Sequence, residues 1–205
     1  MTVRGLAGGE SAALLVNECQ NAMVDPCHGA ADGLAGEVAR SGMLARIAAL
    51  AATCRTLGLP VIHSTIVLAA GRPAPAPVCL LLGALVKGGQ VRAGQPGAQI
   101  AEELTPQAGD LVSERSQGLT PFHDTDLESL LRARGIQTLI LTGVSTNIGI
   151  PGACLEAVNR GFTVVVPRDA VAGAWPEANT WQLQHTLPLL ATVTTCEAVT
   201  AALLR

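Results

Sequence analysis

Gln137-Thr-Leu-Ile-Leu-Thr-Gly-Val-Ser-Thr-Asn-Ile-Gly-Ile-Pro-Gly-Ala-Cys-Leu-Glu-Ala-Val-Asn-Arg-Gly-Phe-Thr-Val-Val-Val-Pro167 holds a complete strand–helix–strand unit. Residues 137–142, with Leu139-Ile-Leu141 at their centre, read as a buried strand. Ile150 to Arg160 reads as a helix with Pro151 near its first position, where the missing N–H is harmless, and Gly161 stops it. Phe162 to Pro167 is the next buried strand. A crossover helix between two such strands makes them parallel, and the crossover right-handed.

The same alternation extends in both directions. Ala12 to Val16 is a buried strand, Met43 to Leu57 a helix closed by Gly58, and Leu59 to Ile66 a second strand. Residues 68–96 are rich in Gly and Pro and predict an irregular excursion around one apolar run. Asp110 to Glu114 is a short third strand. Thr125 to Arg134 reads as a helix with a Thr N-cap, an acidic first turn and a basic last turn. Helices over about 177–189 and 197–204 flank a last strand near 191–194. The pattern predicts one domain over residues 1–205, a parallel sheet with helices on both faces. Its site belongs at the carboxyl ends of the strands, so residues 17–21, 63–65, 114–116, 143–149 and 168–169 carry the interest.

Composition narrows the function. Of 205 residues, 49% are apolar and 14% charged, which excludes a disordered chain. Net charge is −3 and Lys/Arg residues are nowhere clustered, so no nucleic-acid partner is expected. The longest apolar run, Val78 to Val86, falls far short of the roughly 20 residues of a membrane span. The six cysteines have neither C-x-x-C nor zinc-ligand spacing, and the N-terminus lacks a signal-peptide pattern. Reduced thiols and a cytoplasmic protein are the expectation. The four histidines form no convincing set with carboxylates, and no phosphate-binding glycine motif occurs. No metal and no cofactor are expected.

Three segments together resemble the isochorismatase-like cysteine hydrolase superfamily. Leu14-Leu-Val-Asn-Glu-Cys-Gln-Asn21 is similar to a family strand that ends in an Asp two residues before a Gln. Ser113-Glu-Arg-Ser-Gln-Gly-Leu-Thr-Pro-Phe-His-Asp-Thr-Asp-Leu127 is similar to a family segment with a Lys, then a Phe and a Thr-x-Leu helix start. Leu141-Thr-Gly-Val-Ser-Thr-Asn-Ile-Gly149 is similar to the family pattern G-V-x-T-x-x-C. The resemblance runs from about residue 12 to 195. It implies a three-layer α/β/α fold with a six-stranded parallel sheet in the order 3-2-1-4-5-6. It also implies a carboxylate–Lys–Cys site, a non-proline cis peptide at Val144–Ser145, a small-molecule substrate, and a homodimer or homotetramer.

This chain departs from the family at all three site positions. The carboxylate is Glu18, the Lys position falls on Arg115 or Ser116, and the Cys position is Gly149. Glycine has no side chain, so covalent thiol chemistry there is excluded. Cys154 lies about 500° around the helix and about 7.5 Å further along it, and Cys19 faces away from Glu18 on an extended segment. Gly149 instead opens a helix N-terminus, whose free N–H groups attract negative charge. Arg115 keeps its proton at any working pH and can bind a carboxylate. If the two pair, Glu18 serves better as a base than as an acid.

The remaining candidates are substrate contacts: Gln20, His63, Val144, Ser145, Asn147, Gly149 and Ile150, with the 143–150 backbone supplying N–H donors. The leading reading is a small-molecule hydrolase in which Glu18 and Arg115 are catalytic. The glycine-bearing isochorismatase branch, which the pattern also resembles, implies vinyl-ether hydrolysis. The alternatives are a catalytically silent member that binds a metabolite or acts as a scaffold, and an amidohydrolase using Cys19 or Cys154. The run Cys79 to Val86 reads equally as an exposed interface or a short core helix.

Overall fold

A computed structural model describes residues 3–29, 33–69 and 76–205. The strands are β1 (Ala12–Asn17), β2 (Val61–Ile66), β3 (Leu111–Arg115), β4 (Thr138–Val144), β5 (Thr163–Pro167), β6 (Val171–Ala172) and β7 (Thr192–Thr194). The α-helices are α1 (Asn21–Val24), α2 (Leu34–Ser41), α3 (Met43–Thr56), α4 (Leu80–Gly88), α5 (Leu127–Ala133), α6 (Gly149–Asn159), α7 (Pro176–Trp181) and α8 (Cys196–Leu203).

All pairings among these strands are parallel, in the order β3-β2-β1-β4-β5-β7. The expected six-strand order holds, with β7 in the sixth place. The two-residue β6 is an addition. β4 pairs with β5 from Thr138 to Ile140, then with β6 at Gly143 and Val144. β5 ends at Pro167, which has no N–H to continue a ladder, and the returning chain takes over the free edge of β4.

Alternation along the central strand creates the three layers. Leu14 and Val16 of β1 pack with Ile47, Leu50 and Cys54 of α3 and Val199 of α8. Ala13 and Leu15 point the other way, onto Leu127 and Leu131 of α5 and Ile150 and Ala153 of α6. β3 is an edge strand, with Ser113 and Arg115 buried and Val112 and Glu114 exposed.

Three local expectations are corrected. The helix expected over 177–189 is three short pieces: α7, a wide π-type turn at 182–186 and a 3-10 turn at 187–189. Pro188 cannot continue an α-helical ladder, and the changed pitch accommodates it. The N-cap of α5 is Asp126, and Thr125 Oγ1 instead donates to the Pro121 carbonyl (2.7 Å). The excursion at 68–96 contains α4, with Leu82 buried beneath it and Leu80 exposed. Residues 70–75 of that excursion lie outside the described residues.

Candidate active site

Strand order reverses between β1 and β4, and the carboxyl ends of these strands with β2 and β3 surround a cavity of about 110 Å³. Glu18 follows β1 with φ +50°, in the left-handed region that a non-glycine residue rarely occupies. Its amide donates to the Ser64 carbonyl (2.8 Å), so the unusual turn is held by β2. The turn brings the Glu18 side chain to the cavity, while Cys19 packs into the core on the α3 side.

Arg115, the last residue of β3, is the cation that meets it. Its Nη2 donates to Glu18 Oε1, and the two side chains are 3% and 14% exposed. Arg115 Nε and Nη1 are buried with no partner among the described residues. Of the two candidate positions, Arg115 lines the cavity and Ser116 does not. The walls are apolar: Met23, Ile66, and Leu82 and Leu85 of α4, with Leu81 and Ile148 half exposed at the mouth. The run at Cys79 to Val86 therefore forms a wall of this cavity.

Ser145 and Gly149 also line the cavity, and the Val144–Ser145 peptide bond is cis. The 143–150 backbone offers less than expected. Ile148 and Ile150 both donate to the Ser145 carbonyl (3.3 and 2.9 Å), so those two amides are used internally. The Gly149 amide, opening α6, has no acceptor among the described residues. A Cβ at Gly149 would stand 3.0 Å from the Val144 carbonyl oxygen and 3.1 Å from Asn17 Nδ2. The backbone there fits a residue without a side chain.

Five expected contacts fall elsewhere. Gln20 is fully buried and committed: Nε2 donates to the carbonyls of Ile66 (3.0 Å) and Ala98 (2.8 Å), and Oε1 accepts from the Ile66 amide (2.8 Å). Asn147 Oδ1 accepts from the Ala174 amide (2.7 Å), which ties down the loop after β6. Val144 is buried within β4, and Ile150 belongs to the core on the α6 side. His63 lies on the other face of β2, bonded through Nε2 to Asp110 (3.2 Å). Burial holds its pKa below the ordinary value, against the opposing pull of Asp110.

Neither thiol named as a displaced nucleophile lines the cavity. Burial raises Cys19 well above the ordinary thiol value and pushes Cys154 up to about 12. Such groups are thiols rather than thiolates. Among the described residues, no group of three or more His, Cys, Asp or Glu side chains is placed to hold a metal. None of the helices described is long and apolar enough to cross a membrane.

Two polar residues beside the site were not singled out from sequence. Asn17 and Ser64 are register partners on β1 and β2. Both are buried, and Asn17 Oδ1 and Ser64 Oγ have no partner among the described residues. Asn17 Nδ2 donates to the Val144 carbonyl (2.5 Å), which fixes the carboxamide against the bare side of Gly149. Each is a polar residue in a buried strand and costly to bury without a use, but only the register of β1 and β2 shows that the two lie level.

A three-layer α/β/α fold with a carboxylate and a guanidinium at the reversal of strand order defines a class of proteins that bind small molecules there. Within that class, the isochorismatase domain matches residues 12–198, and the chain belongs to this family. It is 40% identical over 82 residues to the uncharacterized isochorismatase family protein YecD of Escherichia coli O157:H7, covering 40% of this chain and 44% of that protein. It is 37% identical over 79 residues to the ureidoacrylate amidohydrolase RutB of Methylorubrum extorquens, covering 38% of this chain and 32% of that protein. These two matches thus span less than half of either relative. The RutB of Methylobacterium radiotolerans is 30% identical over 187 residues, covering 80% of this chain and 68% of that one. The crystal structure of an isochorismatase family protein from Desulfovibrio vulgaris superposes with TM-score 0.79 at 26% identity, over 96% of this chain and all of that one.

Proposed function

We propose that this chain is a hydrolase of compact organic substrates in which water, activated by Glu18, is the nucleophile. The observation that carries the reading is the meeting of Glu18 and Arg115 at a cavity with no cysteine among its described lining residues. A carboxylate that accepts from a guanidinium is placed as a base, so hydrolysis at an acyl carbon fits better than protonation of a vinyl ether. The amidohydrolase names among the relatives favour the same bond class. In the step proposed, water attacks a carbonyl carbon and its proton passes to Glu18. The developing oxyanion takes the free Gly149 amide at the positive end of α6. Glu18 then returns the proton to the leaving nitrogen as the C–N bond breaks. Arg115 stays charged throughout and holds Glu18 in place.

Turnover of ureidoacrylate, short primary amides and isochorismate tests this. Hydrolysis of an amide or ureido substrate is expected, with Glu18→Gln lowering kcat by about 10²–10⁴-fold. Iodoacetamide treatment is expected to leave the rate unchanged. Loss of activity on alkylation would restore a thiol mechanism. Inactivity of the wild-type protein across the panel would make the chain a binding member of the family.

A further inference from the structure

Among the described residues the cavity wall carries two charged side chains, and they are spent on each other: Arg115 Nη2 donates to Glu18. Arg115 Nε and Nη1 are enclosed by protein and present nothing to a ligand. Apart from Ser145 and two glycines, every other described wall residue is apolar, with Met23, Ile66 and Leu119 facing Leu82 and Leu85 of α4. Leu81 and Ile148 carry the apolar surface out to the mouth. An anion entering here gives up its water and meets the Glu18 carboxylate, with no unused side-chain cation on the described wall to offset either cost. A hydrocarbon group gains instead, by about fourfold in affinity for each methylene buried. The volume of about 110 Å³ equals only three or four groups of the size of water, at about 30 Å³ each.

Resting on the hydrolase reading for its chemistry, we propose that the substrate is an uncharged amide with a short alkyl group, and that Leu82 and Leu85 set the length of that group. The carbonyl lies at Glu18 and the Gly149 amide, and the alkyl part fills the space beneath α4. The ion pair is internal to the protein, so the substrate needs no charge of its own to be held. Specificity then comes from two sources: the hydrocarbon wall favours an alkyl group, and the Glu18 carboxylate disfavours an anion of the same shape.

Ketones test the binding half without turnover, because they have no leaving group. 4-Methyl-2-pentanone and acetoacetate have the same shape and differ in charge, and 6-methyl-2-heptanone is two methylenes longer than the first. In an NMR titration of the full chain, 4-methyl-2-pentanone is expected to shift the methyl signals of Leu82 and Leu85. It is expected to bind at least about tenfold more tightly than acetoacetate. Leu85→Ala is expected to raise the affinity for the longer ketone relative to the shorter one by at least about tenfold. If that variant does not fold, the charge comparison in the wild-type protein still decides. Equal or tighter binding of acetoacetate, unmoved Leu82 and Leu85 signals, or an unchanged length preference in folded Leu85→Ala overturns the proposal. Ketone selectivity without turnover of 3-methylbutanamide or the wider panel would overturn the hydrolase reading alone. Turnover of ureidoacrylate or malonamate, both anions, in preference to 3-methylbutanamide would overturn this inference alone.

Discussion

Strand β3 is flanked by a buried ion pair at each end, and the two pairs differ in how far the protein completes them. At its start, Asp110 accepts from Arg55 Nε (3.0 Å) and Nη2 (2.7 Å), from the Gln107 amide (2.9 Å) and from His63 Nε2 (3.2 Å). At its finish, Arg115 makes one bond to Glu18 and leaves two nitrogens unused. The first carboxylate is fully engaged by the fold, on the side of α3. The second pair opens onto a cavity. A buried charge completed by its own chain serves architecture, whereas one left incomplete at the wall of a cavity is a candidate for function.

The largest expected effect separates the two ends by stability. Asp110→Asn removes the charge that gathers Arg55 and His63, and urea denaturation is expected to show a loss of about 3 kcal/mol. Hydrolytic activity of the folded fraction should be unchanged, because the pair lies on the opposite face. Loss of that activity would merge the two regions that the comparison separates.

A smaller effect concerns the bare wall of the site. Gly149→Ala places a methyl group 3.0 Å from the Val144 carbonyl oxygen and 3.1 Å from Asn17 Nδ2, and about 1–2 kcal/mol of destabilisation is expected. Asn17→Ala makes room but forfeits its bond to Val144. The double variant should therefore lose less than the sum of the single losses, a coupling measurable in a denaturation cycle. Strict additivity would mean that the two residues do not press on each other.

The smallest effect is a pH dependence from the completed pair. Burial holds His63 below its ordinary pKa, with the Asp110 bond opposing. For Asp110, burial acts upward, but the bonds from Arg55, Gln107 and His63 outweigh it and leave the carboxyl below its usual range. In both cases the unfolded chain takes up the proton first, so stability falls as pH falls. The decline begins near pH ~6.5 for His63 and near ~3.9 for Asp110. Thermal unfolding followed from neutral to acid pH is expected to show both limbs, and His63→Gln to erase only the upper one. A Tm independent of pH between about 7 and 5 would contradict the assignment.

The central sheet was readable because its strands are continuous apolar runs, as at 12–16 and 162–167, separated by helical periods and glycine stops. The two-residue β6 was not, because it exists only where β5 leaves β4. Helix α4 was open to two readings, an exposed interface or a short core helix, because glycines and prolines surround its apolar run. At the site, Glu18 was legible as an acid directly after a buried strand, and Arg115 as a cation near the end of another. Sequence placed His63, Gln20 and Asn147 at strand ends, but it does not say which face a side chain takes or whether a neighbour already uses its polar atoms. His63 faces α3, while Gln20 and Asn147 are occupied by backbone groups. Asn17 and Ser64 were passed over because their meaning appears only when register sets them side by side.

The acid and its counter-ion hang from strands of unequal security. β1 is flanked by β2 and β4, whereas β3 borders the sheet and has a neighbour on one side only. Rims peel before interiors part. Gentle heating should therefore carry the guanidinium away while the carboxylate stays anchored, so the ion pair parts before the molecule comes undone.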